Sequence, residues 1–143
     1  MKLGDLMSHM LELETGLAVQ LRAAAERHPD DHDIYHQCLT FAVTADKRAA
    51  RLEPFAARYV GRTQWKTVVV DGSDDLLAEL RTIHLRAHEV AITWLMAEQA
   101  AKALRDADLL EVAVECRSET EMQAEWFTTR IKTAAPQALV VAE

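Results

Sequence analysis

Apolar residues recur at spacings of three and four along most of the chain, the period of an α-helix with one buried face. In a first stretch, about 5–27, Leu3, Met7, Met10, Glu14, Leu17, Leu21 and Ala24 share a face, which Leu6 and Leu13 widen. Asp5 is placed to cap its start, and His28-Pro29 to stop it. A second stretch, 31–59, carries Ile34, Cys38, Phe41, Ala45, Ala49 and Leu52 on one side and continues to Phe55 and Tyr59. Pro54 within it lacks the N–H that would bond to the carbonyl of Ala50, so a kink is expected there. A third, 74–105, opens at Ser73-Asp74-Asp75 and presents Leu76, Leu80, Ile83, Ala87, Ala91, Trp94, Glu98 and Ala101. A fourth, 108–133, is capped by Asp106 or Asp108, with Glu111 completing a capping box, and ends before Pro136. Its inward candidates are Leu110, Ala113, Arg117, Thr120, Ala124, Phe127 and Ile131.

Short connections near 28–31 and 105–108 make two antiparallel hairpins. The link at 60–73 is different: it holds Trp65, the β-branched run Thr67-Val68-Val69-Val70, and Asp71-Gly72 as a turn. Extended, such a link reaches at most roughly 45–50 Å, and a helix of about 25 residues is roughly 38 Å long. The expectation is a crossover along the whole bundle, leaving the second and third helices parallel. A long loop folded back between antiparallel helices is the alternative. The fold expected is all-α: one four-helix-bundle domain spanning 1–143, with a tail at 134–143.

Composition narrows the class. Four glycines and three prolines in 143 residues exclude collagen-like, disordered and loop-rich β chains. A net charge of −7 argues against nucleic acid or an anionic membrane as partner. Cys38 and Cys116 have no CxxC companion, which fits free thiols in a reducing cytosol. No apolar run approaches the roughly 18 residues of a membrane span, and the first residues lack the apolar stretch of a signal peptide. A cytoplasmic protein is expected. Phosphate-binding glycine loops and serine-nucleophile elbows are absent as well.

Three segments carry a family likeness: Leu52-Glu53-Pro54-Phe55-Ala56-Ala57-Arg58-Tyr59, Gln99-Ala100-Ala101-Lys102-Ala103-Leu104-Arg105-Asp106 and Trp126-Phe127-Thr128-Thr129-Arg130-Ile131-Lys132. Together with the two-hairpin layout, the chain resembles small bacterial proteins of the ferritin-like superfamily. The resemblance implies a site for two iron or manganese ions inside the bundle. Such a site takes one carboxylate from each of two helices and a Glu-x-x-His pair from each of the others. Glu14 matches the first carboxylate. The second helix, however, offers Ala45 and Arg48 at its centre, and none of Glu115, Glu119, Glu121 or Glu125 is followed three residues later by His.

Two readings follow. In the first, a bundle without a standard di-iron site, and with no cofactor, acts by binding or assembly. Arginine then replaces the metal charge, and Glu14 is expected to pair with Arg48 or Arg117. In the second, an iron-binding oxidoreductase uses an atypical set of metal ligands, Glu14, His84, His88 and Glu121, for iron or another divalent ion. A further reading is a single-metal hydrolase or transferase site, holding zinc or nickel, around His84 and His88, which share a helix face, with a third ligand from His36, Glu14 or Glu121; a solvated boundary pair is the plainer account. His9, His28, His32 and His36 are expected mostly on outward faces or near a helix end. Cys38 is expected to pack as a small hydrophobe. Trp126, with Met122, points away from the fourth stripe. The apolar pieces Thr67–Val70 and Ala138-Leu139-Val140-Val141 are read as extended, covering the bundle or pairing across a homodimer.

Overall fold

The computed structural model describes residues 2–59 and 72–141. It holds four helices: α1 Leu3–Arg27, α2 His32–Arg58, α3 Leu76–Leu104 and α4 Ala107–Pro136. Each boundary lies within a few residues of the sequence expectation. Aspartates set three starts: Asp31 accepts from the Ile34 N–H, Asp75 from Leu77 and Ala78, and Asp106 from Leu109. The first start differs. Lys2, not Asp5, is the flanking residue, and Asp5 lies inside the first turn, where its charge still favours the dipole. Arg105 ends α3 in the left-handed region (φ 55°), and the turn to Asp106 follows at once.

α1 packs on α2 and α3 on α4, the two hairpins meet mainly through α1 and α3, and α2 touches α4 least. Side-chain pairs fix the directions. Arg27 at the end of α1 bonds Glu79 at the start of α3, and Asp31 at the start of α2 meets Arg130 near the end of α4. Arg58 at the end of α2 meets Asp106 at the start of α4. α1 is therefore antiparallel to α3, α4 is antiparallel to both α2 and α3, and α2 runs parallel to α3. Tyr59 and Gly72 stand at opposite ends of the bundle, as a crossover requires. Trp65 and Thr67–Val70 lie outside the described residues.

The core runs the length of the bundle: Met7, Met10, Leu13, Leu17 and Leu21 of α1, Ile34 and Leu52 of α2, Leu80, Ile83 and Trp94 of α3, and Phe127 of α4. Each large side chain taken from water contributes roughly 1.5–3 kcal/mol. On α4 the expected Ala113, Thr120, Ala124 and Phe127 are buried, but Leu109, Cys116 and Gln123 join them in place of Leu110, Arg117 and Ile131, which are only half-buried. Trp126 is not outward either. It packs edge-on against Phe41 and Phe127, beneath Arg130, while Met122 is exposed.

The tail corrects another expectation. α4 continues through Pro136, and Gln137–Val141 forms a π-helical turn instead of an extended piece. Proline removes one i→i−4 bond, and the wider i→i+5 register begins at the next residue. Leu139, Val140 and Val141 stay exposed. α2 likewise remains helical past Pro54 to Arg58. No helix among the described residues is long and apolar enough to cross a membrane.

Candidate functional site

Midway along the bundle six polar side chains from all four helices join in one network, five of them buried or half-buried and the sixth, Glu119, exposed at its rim. Glu14 of α1 is fully buried and Arg48 of α2 is 2% exposed. Their contact is bidentate: Arg48 Nε donates to Glu14 Oε2 at 2.6 Å and its terminal NH2 to Oε1 at 3.0 Å. Trp94 of α3 donates its indole N–H to Glu14 Oε2 at 2.9 Å. From α4, Glu119 accepts from the other Arg48 terminal nitrogen at 2.6 Å, and the Gln123 carbonyl accepts at 3.2 Å from the NH2 that also serves Glu14. The Gln123 amide donates to the Thr44 hydroxyl, which donates to the Phe41 carbonyl.

Planar guanidinium against planar carboxylate is the geometry that offsets the desolvation of both ions. Burial pushes the Glu14 carboxyl above its usual range, against the pull of the Arg48 and Trp94 donors. Burial also works against the Arg48 charge, but Glu14 and Glu119 outweigh it and hold that charge more firmly than in a free arginine. Three donors reach the two oxygens of Glu14, so the carboxylate is occupied and the network closes on itself. Such a centre sets the register of four helices. It presents neither a free base nor an open ligand position.

The four candidate metal ligands do not come together. Glu14 is engaged as above. Glu121 is exposed and bonds Arg117 one turn earlier on its own helix, at 3.1 Å. His84 is half-buried at the α3–α4 seam, its Nδ1 3.1 Å from the Ala124 carbonyl, and His88 is exposed beside it. Only these two histidines meet, their rings stacked at 6.3 Å. Among the described residues no group of three or more His, Cys, Asp or Glu side chains could hold a metal ion. The chain thus does not fit the two-metal centre that the family resemblance implies: a guanidinium stands beside the one matching carboxylate, and the partner ligands are missing.

Sequence reasoning paired Glu14 with Arg48 or Arg117, of which Arg48 is the partner and Arg117 bonds Glu98 instead; it missed Trp94, Gln123 and Thr44, and favoured Glu121 over Glu119. It also missed a second buried carboxylate. Glu79, fully buried, takes Arg27 Nε at 2.7 Å and a terminal Arg27 nitrogen at 2.9 Å, with the Ser73 N–H at 3.2 Å and His28 at 3.3 Å. Burial alone would raise its carboxyl, but these donors hold it below the usual range. Glu98, read as inward, is buried and bonds Arg117 at 2.6 Å. His9 is buried, contrary to the outward placement, and His28 is half-buried at the end of α1, as expected of a residue near a helix end. Cys38 and Cys116 are both buried, and burial pushes each thiol up to about 12.

Comparison with protein-family models, with curated proteins and with solved structures gave no match.

Proposed function

We propose that this chain is a ferritin-like bundle whose centre carries an ion-pair network where the ferritin-like superfamily carries metal, and that it acts by binding or assembly rather than by redox chemistry. The reading rests on one observation: Arg48 takes both oxygens of Glu14 in the middle of the bundle. A fixed positive charge there repels a divalent cation and consumes the carboxylate that would bridge it. The parallel course of α2 and α3 supports the ferritin-like part of the reading. The cytosol is the proposed location, since two buried thiols without disulfide partners suit a reducing compartment.

What remains for function is the outer surface. Leu139, Val140 and Val141 of the turn that follows α4 are all at least 65% exposed, an apolar patch at one end of the bundle. Assembly as a homodimer is the form of association proposed. Iron content and oxygen consumption with Fe(II), measured on untagged protein, test the metal-free centre. Absence of both is expected; about two irons per chain with oxygen uptake overturns it. Light scattering after size exclusion tests the assembly, which a monomer at high concentration overturns.

A further inference from the structure

His84 and His88 form a feature that the ion-pair network does not use. They stand one helical turn apart on α3, and their rings are close to parallel (16°) with centroids 6.3 Å apart. The inner ring is anchored: His84 Nδ1 donates to the Ala124 carbonyl across the α3–α4 seam, and the Thr128 hydroxyl lies 3.3 Å from the same nitrogen. A neutral imidazole that donates from Nδ1 keeps its lone pair on Nε2. Anchoring one ring nitrogen on a carbonyl is the arrangement that orients imidazoles toward metal ions. His88 is exposed and can rotate to close the remaining gap. Two Zn–N bonds of about 2.0–2.1 Å bring a pair of imidazole nitrogens to within a few ångströms of each other.

We propose that His84 and His88 chelate one borderline divalent cation, of the zinc or copper(II) class, on the outer face of α3. Water completes the coordination, because no third protein ligand joins the pair among the described residues. The other pair with this spacing inside one helix, His32 and His36, lacks this preparation. Its residues line a pocket of about 430 Å³ together with Asp33 and Arg130, whose charges pair with each other, and His36 packs edge-on against Tyr35. At the same nitrogen ligands copper(II) and zinc bind more tightly than Fe(II), so the site stands apart from the reading of the bundle centre.

Zinc titration of the metal-stripped, untagged full chain by calorimetry tests it. One zinc per chain is expected. His88→Ala, an exposed position, should weaken binding at least about tenfold, the lower bound for losing even an outer-sphere partner. The double variant His32→Ala/His36→Ala should bind as the wild type does. Circular dichroism checks that each variant is folded. Absence of zinc binding, an affinity unchanged by His88→Ala, loss of binding in the His32/His36 variant, or one zinc per two chains each overturns the proposal. Iron lost on Glu14→Gln would overturn the metal-free centre and leave this site standing.

Discussion

Replacing Glu14 by glutamine keeps the shape of the side chain and removes its charge, which isolates the electrostatic part of the central network. Arg48 is 2% exposed, so its guanidinium cannot turn to water when the partner is neutralised. The glutamine amide also sets donors against donors on one side of the old bidentate contact. Removing one member of a buried ion pair costs about 3–5 kcal/mol. Arg48 keeps Glu119 at 2.6 Å and the Gln123 carbonyl at 3.2 Å, and the glutamine oxygen still accepts one bond. The lower end therefore applies, about 3 kcal/mol, or a fall in Tm of roughly 10 °C for a domain of this size. Urea unfolding followed by circular dichroism measures it. Converting both partners to apolar residues, Glu14→Leu with Arg48→Met, should cost less than the sum of the single changes, because neither leaves a bare charge. A Glu14→Gln protein within about 0.5 kcal/mol of the wild type, the range of ordinary surface changes, would refute the reasoning.

Other consequences are as direct. Glu79 has a carboxyl held below its ordinary 4.5, so its contribution is complete above that value and lost as the pH falls through the folded one. The stability gap between wild type and Glu79→Gln should shrink on acidification, and a gap constant from pH 7 to pH 3 contradicts the assignment. Gly72→Ala should destabilise by about 1–3 kcal/mol, the usual price of unpairing a buried polar group. An added Cβ would overlap the Arg27 guanidinium that Glu79 requires, and the cost should vanish in an Arg27→Ala background. With both thiols pushed up to about 12 by burial, Cys38 and Cys116 should not react with an aromatic disulfide reagent at pH 8 until the chain is unfolded. Stoichiometric labelling of the native protein would overturn that.

Helix positions were legible in the sequence because periodicity, aspartate caps and His28-Pro29 all agree. The Glu14–Arg48 pair was legible for a related reason: each lies on an apolar stripe, at matching heights of adjacent helices. The three exchanges on the α4 face were not. Alternative faces of that helix differ by small residues, and Gln123, whose amide is consumed inside the network, reads as a surface residue. Trp126 misled for the opposite reason: its position lies off the α4 stripe, but Phe41 of α2 reaches across to cover it. Glu79 was hidden because its burial depends on Arg27 and Ser73, residues separated from it by the hairpin order and not by helical phase. The stacking of His84 on His88 followed from i,i+4 spacing, whereas the Ala124 carbonyl that anchors it could not be foreseen from composition or period.

The α2–α4 seam has a consequence of its own. The two helices approach each other least of the neighbouring pairs, yet Arg48–Glu119, Arg51–Glu115, Arg58–Asp106 and Arg130–Asp31 all cross between them. Three of these pairs have a partner at least 47% exposed, within reach of dissolved ions. The α1–α3 contact, the larger of the two between the hairpins, serves as the spine of a book, and α2 and α4 are its covers, held by ionic clasps. Salt undoes clasps and spares a spine. Rising ionic strength would then part the covers before it unfolds either hairpin, so amide exchange in α2 and α4 would quicken while α1 and α3 stay protected.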